Sequence, residues 1–90
     1  MDYKLKGKSA FISGSTSGIG LSTAELLVKE GANVIINGRS EISVSDAVDF
    51  IKTKYPGSKI SGIATDFSKP NQIQKLIKRL PDVDILINNV

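Results

Sequence analysis

Short apolar segments alternate along the chain with longer segments in which apolar residues recur every three or four positions. The short segments predict four strands, at residues 8–13, 33–37, 59–64 and 83–87. The longer segments predict three amphipathic helices, with inward-facing positions Ile19, Thr23, Ala24, Leu27 and Val28 in the first, Val44, Ala47, Val48, Ile51 and Tyr55 in the second, and Ile73, Leu76, Ile77 and Leu80 in the third.

Glycine, proline and serine mark the expected ends of these helices. In chain order the signals are a stop at Gly31, a start at Ser43, a stop at Pro56-Gly57, an N-cap at Ser68 followed by Pro70 in the first turn, and a stop at Pro81. Strand and helix therefore alternate, which predicts an α/β fold: a doubly wound parallel sheet with helices on both faces. The fourth strand is almost continuously apolar, as expected for a strand covered on both faces.

Composition narrows the possible chemistry. The chain has 90 residues, a net charge of +3, no His and no Cys. Without these ligands and bases, a structural zinc, a haem, a cysteine nucleophile or a histidine-dependent triad is excluded, and no metal site is expected. The scattered basic residues do not suggest a nucleic-acid partner, and no apolar run approaches the length of a membrane span. We therefore expect a cytoplasmic protein that binds neither nucleic acid nor membrane.

A glycine-rich loop joins the first strand to the first helix at residues 13–20, Ser-Gly-Ser-Thr-Ser-Gly-Ile-Gly. Gly14 would permit a tight turn, Gly18 a close approach of backbone amides to a pyrophosphate, and Gly20 close packing of helix on sheet. Its place in a βαβ unit favours a dinucleotide site over an ordinary glycine-serine turn. A P-loop is disfavoured because no Lys-Ser or Lys-Thr follows the glycines, while a hydroxyl-rich FMN phosphate loop remains an alternative.

These residues resemble the short-chain dehydrogenase/reductase family. The family's Thr-Gly-x-x-x-Gly-x-Gly matches residues 13–20, with Ser13 in the place of Thr. Residues 66–68 (Asp-Phe-Ser) resemble its Asp-x-Ser element, whose Asp and following amide face the adenine ring. Residues 88–90 resemble the start of its Asn-Asn-Ala-Gly motif, with Val90 replacing Ala. The resemblance implies a Rossmann-type sheet with strand order 3-2-1-4.

The resemblance also implies which residues hold the cofactor. The expected cofactor-binding residues are Gly14, Ser15, Thr16, Ser17, Gly18, Ile19, Gly20, Arg39, Asp66, Phe67 and Asn88. Residues 1–90 correspond to the N-terminal, dinucleotide-binding part of a family member of roughly 250 residues. The family's C-terminal catalytic part, with its active-site Asn, Ser and Tyr-x-x-x-Lys, would be absent, so we expect no catalytic residue in this chain.

Tyr55 and Lys59 have the spacing of the catalytic Tyr-x-x-x-Lys, but the residues between them argue against that role. Catalysis needs the phenol and the ammonium on one helix face, so that the ammonium lowers the phenol pKa. Pro56 and Gly57 would break such a helix. Tyr55 is therefore expected to be the last residue on the apolar face of the second helix, and Lys59 the first residue of the third strand.

The end of the second strand favours NADP over NAD. NAD-specific sites usually place an acidic residue there for the ribose 2′-hydroxyl, and residues 33–40 contain none. Arg39 instead offers a guanidinium suited to a 2′-phosphate. An Asp at position 38 or 39 is expected to move the preference toward NAD.

The sequence thus predicts the NADP-binding part of an oxidoreductase that transfers hydride between the nicotinamide and a small carbonyl or alcohol substrate. The alternatives are a non-catalytic nucleotide-binding or interaction module and the FMN-binding loop. A homo-oligomer is expected from the family. Self-association or poor stability of the isolated chain is also expected, because strand order 3-2-1-4 would leave the apolar segment 83–87 at an edge of the sheet.

Overall fold

The chain forms one four-stranded sheet and three helices. The structure, a computed structural model, describes residues 5–66, 68–80 and 82–88, without the side chain of Arg79. In chain order the elements are β1 (Ser9–Ser13), α1 (Gly18–Lys29), β2 (Asn33–Gly38), α2 (Glu41–Lys54), β3 (Ile60–Ala64), α3 (Pro70–Arg79) and β4 (Ile85–Asn88). The alternation predicted from the apolar pattern is therefore confirmed.

The strands form a parallel sheet in the order β3-β2-β1-β4. The register places Ile12 of β1 between Ile36 of β2 and Ile87 of β4. All four strands therefore run in one direction, and their carboxyl ends lie at one edge of the sheet. The predicted Rossmann-type order is confirmed, and this edge is where open α/β sheets bind ligands.

Each face of the sheet has its own apolar cluster, because successive side chains of a strand point to opposite faces. On one face, Ile12 and Ile36 pack with residues of α1 and α2. On the other, Phe11, Ile35 and Ile63 pack against Leu76 of α3. The helices are thus divided between the two faces, as expected for a doubly wound sheet.

Helix α1 packs on the sheet through part of the face that its apolar residues predict. Gly20, Ala24 and Val28 are buried, whereas Ile19 is 79% exposed, so its predicted inward position is wrong. Small residues at i, i+4 and i+8 let the helix axis lie close to the sheet, and this close approach determines which face is buried. Ile19 is left beside the glycine loop.

The starts of α2 and α3 also differ from expectation. Helix α2 begins at Glu41 because the Ser40 side chain accepts a hydrogen bond from the Ser43 amide at 3.2 Å, capping the helix earlier than predicted. The N-cap of α3 is Lys69 rather than Ser68, whose amide and hydroxyl both donate to Asp66. The closing role given to Pro81 lies outside the described residues.

Two apolar side chains expected to be covered are exposed. Ile77 of α3 is 66% exposed, because the helix meets the sheet through Leu76 and Leu80 instead. Leu86 is 69% exposed, because β4 is the outer strand and its α3 side is not covered by the described residues. Within the described residues β4 is therefore an exposed outer strand, as strand order 3-2-1-4 predicts, although its composition is typical of a strand covered on both faces.

Two further findings bear on function. No described helix is both long enough and apolar enough to cross a bilayer. Among residues 5–66, 68–80 and 82–88, no three acidic side chains lie close enough together to ligate a metal ion.

Candidate functional site

The glycine loop ends at an uncapped helix start. Gly14 has φ 59° and Gly18 φ 60°, in the left-handed region that favours glycine. Within the described residues, Ser17 is an extended N-cap whose side chain makes no capping hydrogen bond, and the first turn of α1 holds no acidic residue. Such a helix start offers backbone N–H groups and a partial positive charge to an anion.

The space around the loop also fits an anionic ligand. A Cβ added at Gly18 would meet no atom of the described chain within 4 Å, so the backbone there is open on its outer side. Ile19, Ser17 and Gly14 are exposed along the same loop, while Gly20 is buried against the sheet. The residues present therefore fit the pyrophosphate that the sequence motif predicts.

Ser15 differs from its neighbours because its hydroxyl is directed into the protein. The residue is fully buried, and its Oγ donates to the Ile12 carbonyl at 2.7 Å. The same Oγ accepts from the Asn37 amide at 2.8 Å, while the Ser15 amide donates to the Asn37 carbonyl at 2.8 Å. As a candidate cofactor residue, Ser15 can therefore act only by fixing the loop to the end of β2.

Asn37 extends this network to the next strand, a role that the sequence analysis missed. Its side chain is 1% exposed, and Nδ2 donates to the Ile63 carbonyl at 2.9 Å. The Thr65 amide donates to the Gly38 carbonyl at 2.8 Å. The ends of β1, β2 and β3 are thus joined by hydrogen bonds directly beneath the candidate site. The only sign of this network in the sequence is that a polar residue, Asn37, ends an otherwise apolar strand.

Thr16 and Gly38 are in close contact across the loop and β2. A Cβ at position 38 would lie 2.5 Å from Thr16 Cγ2 and 3.1 Å from Val44 Cγ2. A side chain at position 38 would therefore require the Thr16 side chain to shift. Arg39 follows immediately and is exposed, so its side chain is accessible at the carboxyl edge of the sheet.

Asp66 is held in a tight turn after β3. Its Oδ1 accepts from the Ser68 amide at 3.0 Å and from the Ser68 hydroxyl at 2.6 Å. These bonds, the hydroxyl first, hold the pKa of the Asp66 carboxyl below its usual value, and the positive charges of Arg39 and Lys69 act in the same direction. Asp66 is therefore ionised at neutral pH. Phe67, the next predicted cofactor residue, lies outside the described residues.

A cavity of about 510 Å³ lies between the end of β3, the start of α2 and one side of α3. Three cationic side chains and one carboxylate line it, and Thr65 and Gln72 are among its other walls. The charged residues are Arg39, Glu41, Lys75 and Lys78. The excess of positive charge favours an anionic group, and α3's part in this cavity could not be read from the sequence, because it depends on how α3 packs.

Asn88 joins the site from the fourth strand. The Ser13 hydroxyl donates to Asn88 Oδ1 at 3.0 Å, and the two residues are also partners in the β1–β4 register. The hydroxyl that Ser13 retains in the place of Thr therefore links the ends of these strands. Asn89 lies outside the described residues.

Tyr55 and Lys59 do not share a helix face. Tyr55 is the C-cap of α2, Gly57 follows with φ 86°, and Lys59 precedes β3. The expectation that this pair is not a Tyr-x-x-x-Lys helix is confirmed.

Comparison with known proteins identifies the family. Residues 8–90 match the family model described as short chain dehydrogenase. The chain belongs to the short-chain dehydrogenase/reductase family. Among curated members, it is 42% identical over 90 residues to the uncharacterized oxidoreductase YvaG of Bacillus subtilis, covering 100% of this chain and 34% of that protein. It is 36% identical over 89 residues to the 3-oxoacyl-[acyl-carrier-protein] reductase FabG of Vibrio cholerae, covering 94% and 34%.

Solved structures of this short-chain dehydrogenase/reductase family share the fold. L-sorbose reductase from Gluconobacter frateurii, solved with NADPH and L-sorbose, superposes with a TM-score of 0.85 at 34% identity, over 99% of this chain and 35% of that one. The chain thus spans about a third of the length of the relatives that it matches.

Proposed function

We propose that residues 1–90 form the dinucleotide-binding part of a short-chain oxidoreductase that prefers NADP(H) over NAD(H). The observation that carries the preference is Arg39, exposed after β2 on a cavity whose charged lining is mostly cationic. A 2′-phosphate is a dianion, and a guanidinium can bind it through charge-assisted, bidentate hydrogen bonds. The similarity to an NADPH-bound reductase supports the same choice.

Each predicted site residue has a role in this proposal. The loop from Gly14 to Gly20 and the start of α1 bind the pyrophosphate through backbone N–H groups. Asp66, together with Phe67, faces the adenine, and Asn88 borders the adenosine ribose. The bound nicotinamide would donate or accept the hydride, and the substrate would be a small carbonyl or alcohol bound by the remainder of a longer protein.

Oligomerisation is part of the same proposal. Leu86 lies on the outer strand with 69% of its surface exposed, and an apolar edge strand favours pairing with another chain. We expect a homo-oligomer, as the sequence also predicts.

Replacement of Arg39 by alanine tests the cofactor preference. Loss of a charge-assisted hydrogen bond costs on the order of 1.5–3 kcal/mol, so Arg39→Ala should weaken NADPH at least about tenfold and leave NADH almost unchanged. Lys29→Ala is the matched control, because it removes an exposed positive charge from the last turn of α1, away from the cavity. Equal weakening of both dinucleotides, or none, would contradict the proposed role of Arg39.

A further inference from the structure

We propose that Gln72 is a positioning residue for adenine recognition by Asp66. The inference rests on the proposed function and adds a residue outside the glycine loop and the strand ends. Gln72 is the third residue of α3, and its Oε1 accepts a hydrogen bond from the Asp66 amide at 2.8 Å. It also lines the cavity that contains Arg39 and Thr65.

This hydrogen bond departs from the usual behaviour of a glutamine in the first turn of a helix. In a capping box the side chain at this position returns to the N-cap amide, three residues earlier. Here it reaches six residues back, past Lys69, to Asp66. The Gln72 side chain therefore binds the loop between β3 and α3, not the N-terminus of its own helix.

Three anchors hold Asp66, and they differ in origin. Ser68 binds the carboxylate, and the Lys69 amide donates to the Asp66 carbonyl at 3.0 Å, both from within the turn itself. The bond from Gln72 comes from α3, which packs on the sheet through Leu76. Gln72 therefore fixes the orientation of the turn relative to the helix and the sheet.

The carboxylate is arranged to accept one more hydrogen bond. Within the described residues, both hydrogen bonds that it accepts fall on Oδ1. An ionised Oδ2 is suited to accept from the 6-amino group of adenine, and a hypoxanthine base has an oxygen acceptor in place of that amino group. Discrimination between the two bases therefore measures how well Asp66 is oriented.

The experiment compares NADPH with its deaminated analogue, in which hypoxanthine replaces adenine, on the whole chain. The unsubstituted chain should bind NADPH at least about tenfold more tightly than the analogue, the loss expected for one hydrogen bond to a charged acceptor. Gln72→Ala should reduce this ratio to about threefold or less, since the turn that carries the carboxylate is no longer fixed relative to α3 and the sheet. The 2′-phosphate is present in both ligands, so its contribution cancels.

Two further variants separate positioning from stability. Gln72→Glu keeps an acceptor oxygen and should restore the ratio, and Gln74→Ala, an exposed glutamine on the same helix, should leave it unchanged. Amide hydrogen exchange at Asp66 should be faster in Gln72→Ala and slow again in Gln72→Glu. An unchanged base ratio in Gln72→Ala, with or without faster exchange, would overturn the inference.

The outcomes also distinguish the inference from the proposed function. If the unsubstituted chain binds NADPH tightly but does not distinguish the two bases, the inference fails and the proposed function stands. If the unsubstituted chain binds neither ligand, the proposed function fails and the inference fails with it.

Discussion

The methyl group of Thr16 occupies the space that a side chain at Gly38 would need, with Cγ2 2.5 Å from an added Cβ. The glycine loop and the end of β2 are therefore in direct contact, and a side chain at position 38 would require the Thr16 side chain to shift. The expectation that an Asp at position 38 or 39 favours NAD stays a prediction, and at position 38 it requires the Thr16 side chain to shift.

Arg39→Asp should shift the preference toward NADH. The new carboxylate can accept a hydrogen bond from a ribose 2′-hydroxyl and repels a 2′-phosphate, so NADPH should weaken by more than in Arg39→Ala. Gly38→Asp should weaken both dinucleotides, NADPH more than NADH, since the Thr16 side chain must shift to admit the new carboxylate. Titration of each variant with NADPH and NADH checks this. A Gly38→Asp variant with intact NADH affinity would contradict the contact.

Ser15→Ala should destabilise the chain even without a ligand. It removes the acceptor of the buried Asn37 amide and the donor to the Ile12 carbonyl. An unsatisfied buried group costs about 1–3 kcal/mol, and the free energy of unfolding from urea denaturation should fall by that amount. Ser17→Ala, at an exposed position of the same loop, is the control and should change it little. Equal effects of the two substitutions would argue against the network.

Ser68→Ala should raise the pKa of Asp66 toward its usual value. The Ser68 hydroxyl is the largest of the causes that lower this pKa. Because the folded-state pKa is lowered, Asp66 contributes stability above the unfolded pKa, and this is lost as the pH falls through the folded value. An NMR titration of the Asp66 carboxyl in both chains measures the shift. The same pKa in both would show that the hydroxyl bond does not form.

The 90-residue chain should show no saturable hydride transfer even if it binds NADPH. Loss of positioned acid–base catalysis alone removes about 10²–10⁴ in rate, and Tyr55, at the C-cap of α2, is not aligned with Lys59. The assay is the loss of NADPH absorbance with a panel of ketones and aldehydes. A non-catalytic nucleotide-binding module would also show no turnover. A version of the chain extended to the length of a family member is therefore assayed under the same conditions. Turnover by the short chain that disappears in Tyr55→Phe would contradict the prediction.

The order of elements could be predicted because it depends on local signals. The spacing of apolar residues, the glycines that end helices and the glycine loop at residues 13–20 each indicate the structure of a short segment of the chain. Because crossovers between parallel strands are right-handed, these segments can then be arranged in only a few topologies. The orientation of the helices could not be predicted in the same way. Ile19 and Ile77 belong to apolar stripes but are exposed, because small residues in α1 and Leu76 in α3 make the closest contacts with the sheet.

The candidate site was predictable where it depends on local residue types. Glycines with positive φ are marked by residue type, as at Gly14 and Gly18. Hydrogen bonds between distant segments are not. Ser15 and Asn37 are 22 residues apart and give no local sign that they pair. Ser68 has the character of a helix cap, but the N-cap of α3 is Lys69, and the Ser68 hydroxyl donates to Asp66 at 2.6 Å.

The NADP preference is tested most directly by a calorimetric titration of the unsubstituted chain with NADPH and with NADH under identical conditions. We expect saturable binding of both, with NADPH tighter by at least about tenfold, the contribution of a charged hydrogen bond from Arg39 to the 2′-phosphate. Equal affinities would contradict the NADP preference, and binding of neither would contradict the dinucleotide site itself.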